Sequence, residues 1–358
     1  MNSVTHNAFQ FVSSRTLNRE DVQMSTYLQY NNHMILHPTD SSKYLYVMSG
    51  DPLNPLNLPE YTIRLLYKDG VTPTFSKGTA TQVSSSPNVW DLTYNNSNWR
   101  DLLSGSADGG QAVHRESLLK VLGANTTGVT DMSRMLCTCE HIDEVPLFNT
   151  SLVTTTQEMF LNCKKITSVP DYDTRNVTNF VEMFGQSGLV VAPNLDTRSA
   201  KDMSIMFFRC HDLTYVPAYN TSSVTDMGGM FWHCQSLTSV PMMDTSNVTD
   251  MNTMFDSCTA LTTVPLFDTS SVTDMGRMFY GCESLTTIPL FDTSSVTNMD
   301  IAFCYCFYVT SGALALYQQA STQSTPPSHA HTFYLCGSNT ESGAAELAQI
   351  PEDWKQGF

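Results

Sequence analysis

Val272–Ser295 reads VTDMGRMFYGCESLTTIPLFDTSS, and Val248–Ser271 directly before it reads VTDMNTMFDSCTALTTVPLFDTSS. Two near-identical 24-residue units in tandem decide how the chain is built. Earlier copies begin at Val129, Val153, Val177, Ala200 and Val224, and a last one begins at Val296 and breaks off after Cys306. The period is 24 except in the copy from Val177, which is one residue short just after Ser187. Ahead of the array, Leu118–Gly128 (LLKVLGANTTG) reads as the second half of a degenerate copy. Self-similarity at a fixed period of this length marks a repeat architecture, in which each unit hides its apolar face only against its neighbours.

Within one copy the apolar spacing changes. Val272, Met275, Met278, Phe279 and Cys282 recur at threes and fours, which predicts a short helix with Thr273 or Asp274 at its first turn. Leu285, Ile288 and Leu290 then follow the L-x-x-L-x-L rhythm of a brief strand, interrupted by Pro289. Asp292-Thr293 turns the chain. The expected fold is an α/β repeat solenoid of leucine-rich-repeat type, with one short strand and one short helix per unit over residues 118–309. Residues 59–117 are expected to form a β-rich N-terminal cap, and residues 310–358 a C-terminal cap.

Composition excludes some functions. Hydrophobic residues are 41% of the 358, enough for a core, while charged residues are only 15% and sum to −16. No basic stripe is available to displace counterions, so nucleic acid is not an expected partner. No apolar run approaches the ~20 residues of a membrane span. Met1–Gln10 (MNSVTHNAFQ) has neither the basic nor the apolar region of an export signal, and the expectation is a chain made in, and retained by, a cytoplasm.

The recurring VTDMxxMFxxCxxLTxVPxFDTSS resembles the BspA-like leucine-rich-repeat surface proteins over about 190 residues. That resemblance implies surface display and adhesion. Thr62–Tyr94 and the tail from Gly312 to Trp354 are similar to the caps of such arrays in bacteriophage structural proteins. Together they imply a virion component, a head or tail fibre, with a cellular adhesin on a bacterial surface as the alternative.

Stacking turns equivalent residues into columns. Cys139, Cys163, Cys210, Cys234, Cys258, Cys282 and Cys306, with Ser187 in the short copy, make a cysteine column. One thiol per copy and no C-x-x-C favour small buried hydrophobes over a metal ladder or disulfides. Cys137 and Cys304 read as core variants and Cys336 as a free thiol. Asn149, Asp173, Asp196, Asn220, Asp244, Asp268 and Asp292, each followed by Thr, read as turn caps rather than calcium ligands, because Asn stands in twice. Phe148, Tyr172, Leu195, Tyr219, Met243, Phe267 and Phe291 form an apolar column that reads as core, although strand alternation sets it opposite Leu290 and leaves the two readings in conflict. Two neighbouring columns vary and are expected outside: Leu147, Asp171, Asn194, Ala218, Met242, Leu266 and Leu290, and Glu144, Ser168, Val191, Tyr215, Ser239, Thr263 and Thr287. Ligand contacts are expected at Tyr215, Met242 and Asp171.

No G-x-S-x-G, P-loop, G-x-G-x-x-G or H-E-x-x-H occurs, and His329 and His331 sit in a Ser/Pro-rich stretch read as a solvated loop. The reading is of a non-enzymatic binder without cofactor or metal, a glycan-degrading enzyme being a minor alternative. Residues 1–58 are expected to join other virion proteins and to build a homo-oligomer, a trimer. The array is expected to meet a host cell-surface protein or glycan. Thr62–Tyr94 predicts paired strands with a turn at Lys68-Asp69-Gly70, Gly312–Ala320 a capping helix, and Glu341–Trp354 a cover for the last copy.

Overall fold

A computed structural model describes residue 54, residues 56–103 and residues 115–357. It adds the backbone of two paired two-residue strands, β1 (Ile35–Leu36) and β2 (Tyr44–Leu45). The expected attachment module, residues 1–58, thus falls almost wholly outside the described residues. Four further strands form one antiparallel sheet in the order β4-β5-β3-β6: β3 (Thr62–Tyr67), β4 (Thr79–Ser85), β5 (Asn88–Thr93) and β6 (Leu118–Asn125). Lys68-Asp69-Gly70 ends β3, but the tight hairpin joins β4 to β5, and β3 pairs with β5. Ile63, Leu65 and Tyr67 of β3 are buried, as are Leu92 of β5 and Leu118 of β6, so one face of the sheet belongs to the core that runs on into the repeats.

Leu118–Gly128, read as the second half of a degenerate copy, has a second role, because Leu118–Asn125 is also a strand of this sheet. It feeds the array, since the Thr126 hydroxyl donates to the Asn149 carbonyl as later threonines do one copy on. Its missing first half lies further back. Asn98 bridges to Asp131, and the N–H groups of Trp99, Asp101 and Leu103 donate to the carbonyls of Asp131, Ser133 and Met135. An insertion between the two halves hides this copy from a search at fixed period.

The larger correction concerns the repeat itself. Among the described residues no copy contains a helix. In the copy from Val248, the N–H groups of Met251, Thr253, Phe255 and Ser257 donate to the carbonyls of Asp274, Gly276, Met278 and Tyr280 in the next copy. The alternate groups of Met254, Asp256 and Cys258 donate back to carbonyls three residues earlier. The segment is therefore a run of overlapping β-turns, with left-handed backbone twice per copy, at Thr253 (φ 55°) and Ser257 (φ 60°). An α-helix would close its N–H groups internally and offer none to its neighbours. Spacings of three and four bring Met275, Met278, Phe279 and Cys282 to the core in either geometry, so periodicity does not separate them. The left-handed residues each cost about 1–2 kcal/mol, and the bonds between copies offset this.

The expected strand is also absent as a run. Parallel bridges in that segment occur singly, at Val191–Tyr215 and Thr287–Ser311. The unbroken ladder lies instead on the third residue of V-T-D-M, through Asp131, Thr155, Asn179, Asp202, Asp226, Asp250, Asp274 and Asn298, and ends at Ser328. That last bridge makes Ser328–Cys336 another rung, with Phe333 stacked on Phe303 (centroids 5.8 Å apart). His329 stacks on Trp354 with centroids 4.1 Å apart, so the second half of STPPSHAHT, from Ser328 on, is part of the stack, while Ser324–Pro326 are exposed as expected of a solvated loop. Helix α1 (Ala313–Ser321), helix α2 (Glu341–Leu347) and a 3-10 turn at Glu352–Trp354 form the C-terminal end. The N–H of Phe333 donates to the Trp354 carbonyl, which closes the last rung.

Inside, phenylalanines 160, 184, 207, 231, 255, 279, 303 and 333 stack ring on ring. The cysteine column lies beside them. Cys210, Cys234, Cys258, Cys282 and Cys306 are fully buried, and each thiol donates to a carbonyl of the preceding copy at 3.0–3.1 Å. The ten cysteines are all free and buried, Cys336 included. Burial pushes the Cys210 thiol up to about 12, which keeps it protonated.

Candidate ligand-binding face

The segment from the recurring Leu or Ile position to the Asp-Thr turn decides what each rung shows to solvent. Leu285, Ile288 and Phe291 point inward, at intervals of three, while Thr286, Thr287 and Leu290 point out. The N–H of Phe291 reaches back to the Pro289 carbonyl at 2.9 Å, and that of Phe267 to Pro265 at 3.1 Å. Leu290 and Leu266 thus sit at the apex of three-residue turns and are thrust outward. This settles the conflict over the aromatic column. Phe148, Tyr172, Leu195, Tyr219, Met243, Phe267 and Phe291 are all buried, and Leu290, which the strand rhythm set inward and the variation of its column set outward, is exposed. Tyr fits this column because its hydroxyl finds a backbone acceptor in the preceding copy, Tyr172 on Pro146 (3.1 Å) and Tyr219 on Pro193 (2.8 Å).

Tyr215, Met242 and Asp171 all lie on the outward side of this segment, in the copies from Ala200, Val224 and Val153 respectively. Tyr215 and Met242 are 58% and 59% exposed and occupy adjacent rungs. Asp171 stands apart, two rungs before Tyr215, where its carboxylate accepts from the Asn194 N–H at 3.0 Å. The three do not form one cluster. The column expected outside continues from Met242 through Leu266 (58%) and Leu290 (55%), an apolar row over three consecutive rungs. Sequence reasoning singled out only Met242 of the three as a ligand contact, although the run Met242, Leu266, Leu290 carried the signal for the whole row.

Beside this row runs the Asp-Thr column. Its carboxylates and amides cap their own turns, as expected: Asp244, Asp268 and Asp292 accept from the N–H groups of Ser246, Ser270 and Ser294 at 2.8–3.1 Å. The serine hydroxyls hold the Asp244 and Asp268 carboxyls below the usual carboxylate range. The threonines are buried and stitch the rungs, Thr245 to the Asp268 carbonyl and Thr269 to that of Asp292, both at 2.8 Å. In the earlier copies the same column is neutralised. Arg175 pairs with Asp173 at 2.8 Å and Arg198 with Asp196 at 2.7 Å.

A second cluster lies between the two left-handed positions. Arg277 makes a two-nitrogen contact with the buried Asp256 carboxylate and covers the Tyr280 ring, while Trp232 packs on Phe208. The Asp256 oxygens are already taken by Arg277 and Ser257, so the cluster reads as rung-to-rung packing. Among the described residues no group of three His, Cys, Asp or Glu is placed to hold a metal ion, and no helix is long and apolar enough to cross a membrane.

Residues 115–214 and 201–312 match the family described as Mycoplasma protein of unknown function, DUF285. The chain belongs to this family. Membership agrees with the BspA-like, leucine-rich-repeat resemblance of the motif, whereas the bacteriophage setting has no counterpart in the matches. Among solved structures, the chain is similar to a leucine-rich repeat protein from Eubacterium ventriosum ATCC 27560, at 12% identity and a TM-score of 0.23, over 52% of this chain and 77% of that one. No curated protein matches it.

Proposed function

We propose that this chain is a non-enzymatic attachment protein, a leucine-rich-repeat solenoid that offers its outward row to a ligand on a host surface. The observation that carries this reading is the apolar row Met242, Leu266 and Leu290. Three large side chains, each more than half exposed, stand in register in a stack whose other apolar columns are buried. In the finer reading the chain is a virion structural protein, a phage head or tail fibre held through residues 1–58 as a homotrimer. Its place would be the virion surface, after assembly in host cytoplasm. The second placement is a bacterial surface adhesin, which membership of a BspA-like family supports at least as well. A host protein or glycan is the expected partner in both.

The decisive experiment applies the fluorescently labelled full chain to candidate host cells, alongside a search for the chain in purified phage particles and on intact bacteria. Saturable cell binding is expected. No binding to any cell, with the chain recovered inside bacteria only, sinks the attachment reading. Detection on bacteria and absence from particles moves the placement to the adhesin. Release of oligosaccharide from host capsular polysaccharide would overturn the non-enzymatic part.

A further inference from the structure

The outward row is apolar, and its surroundings say what kind of partner would cover it. Residues 210–358 contain two basic residues, Arg277 and Lys355, against fourteen acidic ones, so they carry −12 of the chain's net −16. Both bases are engaged within the array's own structure, Arg277 with Asp256 and Lys355 with Glu352 and the Leu347 carbonyl. The Asp-Thr column of these copies therefore keeps its charge. Asp244, Asp268 and Asp292 are exposed, have no cationic partner among the described residues, and follow Met242, Leu266 and Leu290 by two positions in the same three rungs. Rungs repeat at about 4.8 Å. A row of exposed apolar side chains thus runs beside a row of uncompensated carboxylates. In the copies from Val153 and Val177, Asp171 and Asn194 replace the apolar residues, and Arg175 and Arg198 cancel the carboxylates. In the copies from Val129 and Ala200 the half-buried Leu147 and the small Ala218 are followed by the neutral Asn149 and Asn220. The copies from Val224, Val248 and Val272 combine a large exposed apolar side chain with an uncompensated carboxylate.

We infer that Met242, Leu266 and Leu290, with Asp244, Asp268 and Asp292, form a docking strip for a basic polypeptide segment that interleaves Lys or Arg with large apolar side chains. The inference rests on the attachment reading and names the partner's chemistry. A second copy is a poor occupant, since two acidic strips repel. So is the chain's own N-terminus, as residues 1–53 hold three basic and four acidic residues. Apolar contact supplies burial, and the carboxylate row sets orientation and excludes acidic partners.

The test titrates the full chain with a hexapeptide alternating Leu and Lys, using Leu-Glu and Ser-Lys hexapeptides as comparisons. Binding of the Leu-Lys peptide alone is expected, weakening at least tenfold between low and high salt. Leu266→Ser with Leu290→Ser should weaken it about tenfold. Asp244→Asn, Asp268→Asn and Asp292→Asn together should do the same at low salt. These asparagines keep the turns, because Asn149 and Asn220 already cap the same column. Asp173→Asn with Asp196→Asn should change it less than twofold. Equal binding of the Ser-Lys peptide, unchanged affinity in either strip variant, or no binding of the Leu-Lys peptide overturns the proposal. Host-cell binding separates the two readings. Wild-type chain that binds cells no better than the strip variants removes the strip and leaves attachment standing. Wild-type chain that binds no cells removes attachment.

Discussion

If the array is held by ring-on-ring contacts between rungs, neighbouring phenylalanines must be energetically coupled in a countable way. Phe255 is fully buried and lies between Phe231 (5.5 Å) and Phe279 (5.3 Å). Phe279 lies in turn between Phe255 and Phe303 (5.3 Å). Phe255 also stacks on Phe267 (6.2 Å) and Phe279 on Phe291 (6.0 Å). Replacing one of them by leucine keeps most of the volume and removes three ring pairs, each worth about 0.5–1.5 kcal/mol beyond area burial. Phe255→Leu should therefore cost about 1.5–4.5 kcal/mol. The double variant Phe255→Leu with Phe279→Leu breaks five pairs instead of six, so its cost should fall short of the sum by one pair, about 0.5–1.5 kcal/mol. Phe184, three rungs from Phe255, stacks on Phe160 and Phe207 and shares no pair with it. Phe255→Leu with Phe184→Leu should add to within about 0.5 kcal/mol. Urea unfolding of the full chain, followed by circular dichroism and tryptophan fluorescence, measures all five free energies. The m-value must stay constant, because long repeat arrays can lose two-state behaviour. Equal additivity in the near and far pairs would refute the stacking account.

Asp226 and Asp250 stand in the bridge column, where burial first and neighbouring carboxylates second raise both above the usual carboxylate range. An acid raised in the fold favours folding when protonated and loses that contribution as pH rises, so Asp226→Asn and Asp250→Asn should each raise the urea midpoint at pH 7 and do so less at pH 4. Two carboxylates about 4.8 Å apart in water-like surroundings repel by about 1 kcal/mol, which sets the scale. The buried thiols should resist Ellman's reagent, with fewer than one of the ten reacting in an hour under native conditions and all ten in concentrated guanidinium. Truncation after Gln349 removes Ile350 and Trp354 and strips the Phe333 N–H of its acceptor. Size-exclusion chromatography should then show self-association through the opened last rung, and a monodisperse product at unchanged stability would argue against closure by the tail.

The repeat, its regular copies from Val129 to Cys306 and the burial of the cysteine column were legible because stacking makes identity at a fixed interval a statement about environment, while the aromatic column stood between two conflicting readings. The conformation within a copy was not. Met275, Met278, Phe279 and Cys282 satisfy a helix and a run of β-turns equally, and the difference lies in where backbone N–H groups go, which side-chain periodicity does not record. The end rungs were hidden for another reason. Asn98–Leu103 and Ser328–Cys336 pair with the array at offsets of 33 and 30 residues rather than 24, because insertions separate them from the neighbours they stack on. The short copy shows how one missing residue is absorbed. At Gly188 the backbone approaches the preceding copy so closely that a Cβ would lie 2.2 Å from the Lys164 carbonyl oxygen, and only glycine leaves that room.

The same hydrogen-bond pattern explains why the outward row is free to vary. Each rung is fixed by backbone bonds to its neighbours, by buried threonine hydroxyls such as Thr245 and Thr269, and by inward Leu, Ile and Phe. None of these involves the side chains of Met242, Leu266 and Leu290, and at the same position, among the described residues, only Asp171 adds a bond of its own, accepting from the Asn194 N–H. That position accepts Leu147, Asp171, Asn194 and Ala218 elsewhere in the array with the rungs still paired. A site whose identity the fold does not constrain is shaped only by what touches it from outside. Stability alone gives no reason for three large, exposed apolar residues to stand there in consecutive copies, each followed by a carboxylate that no arginine pairs. A ligand that presses on those rungs would give one.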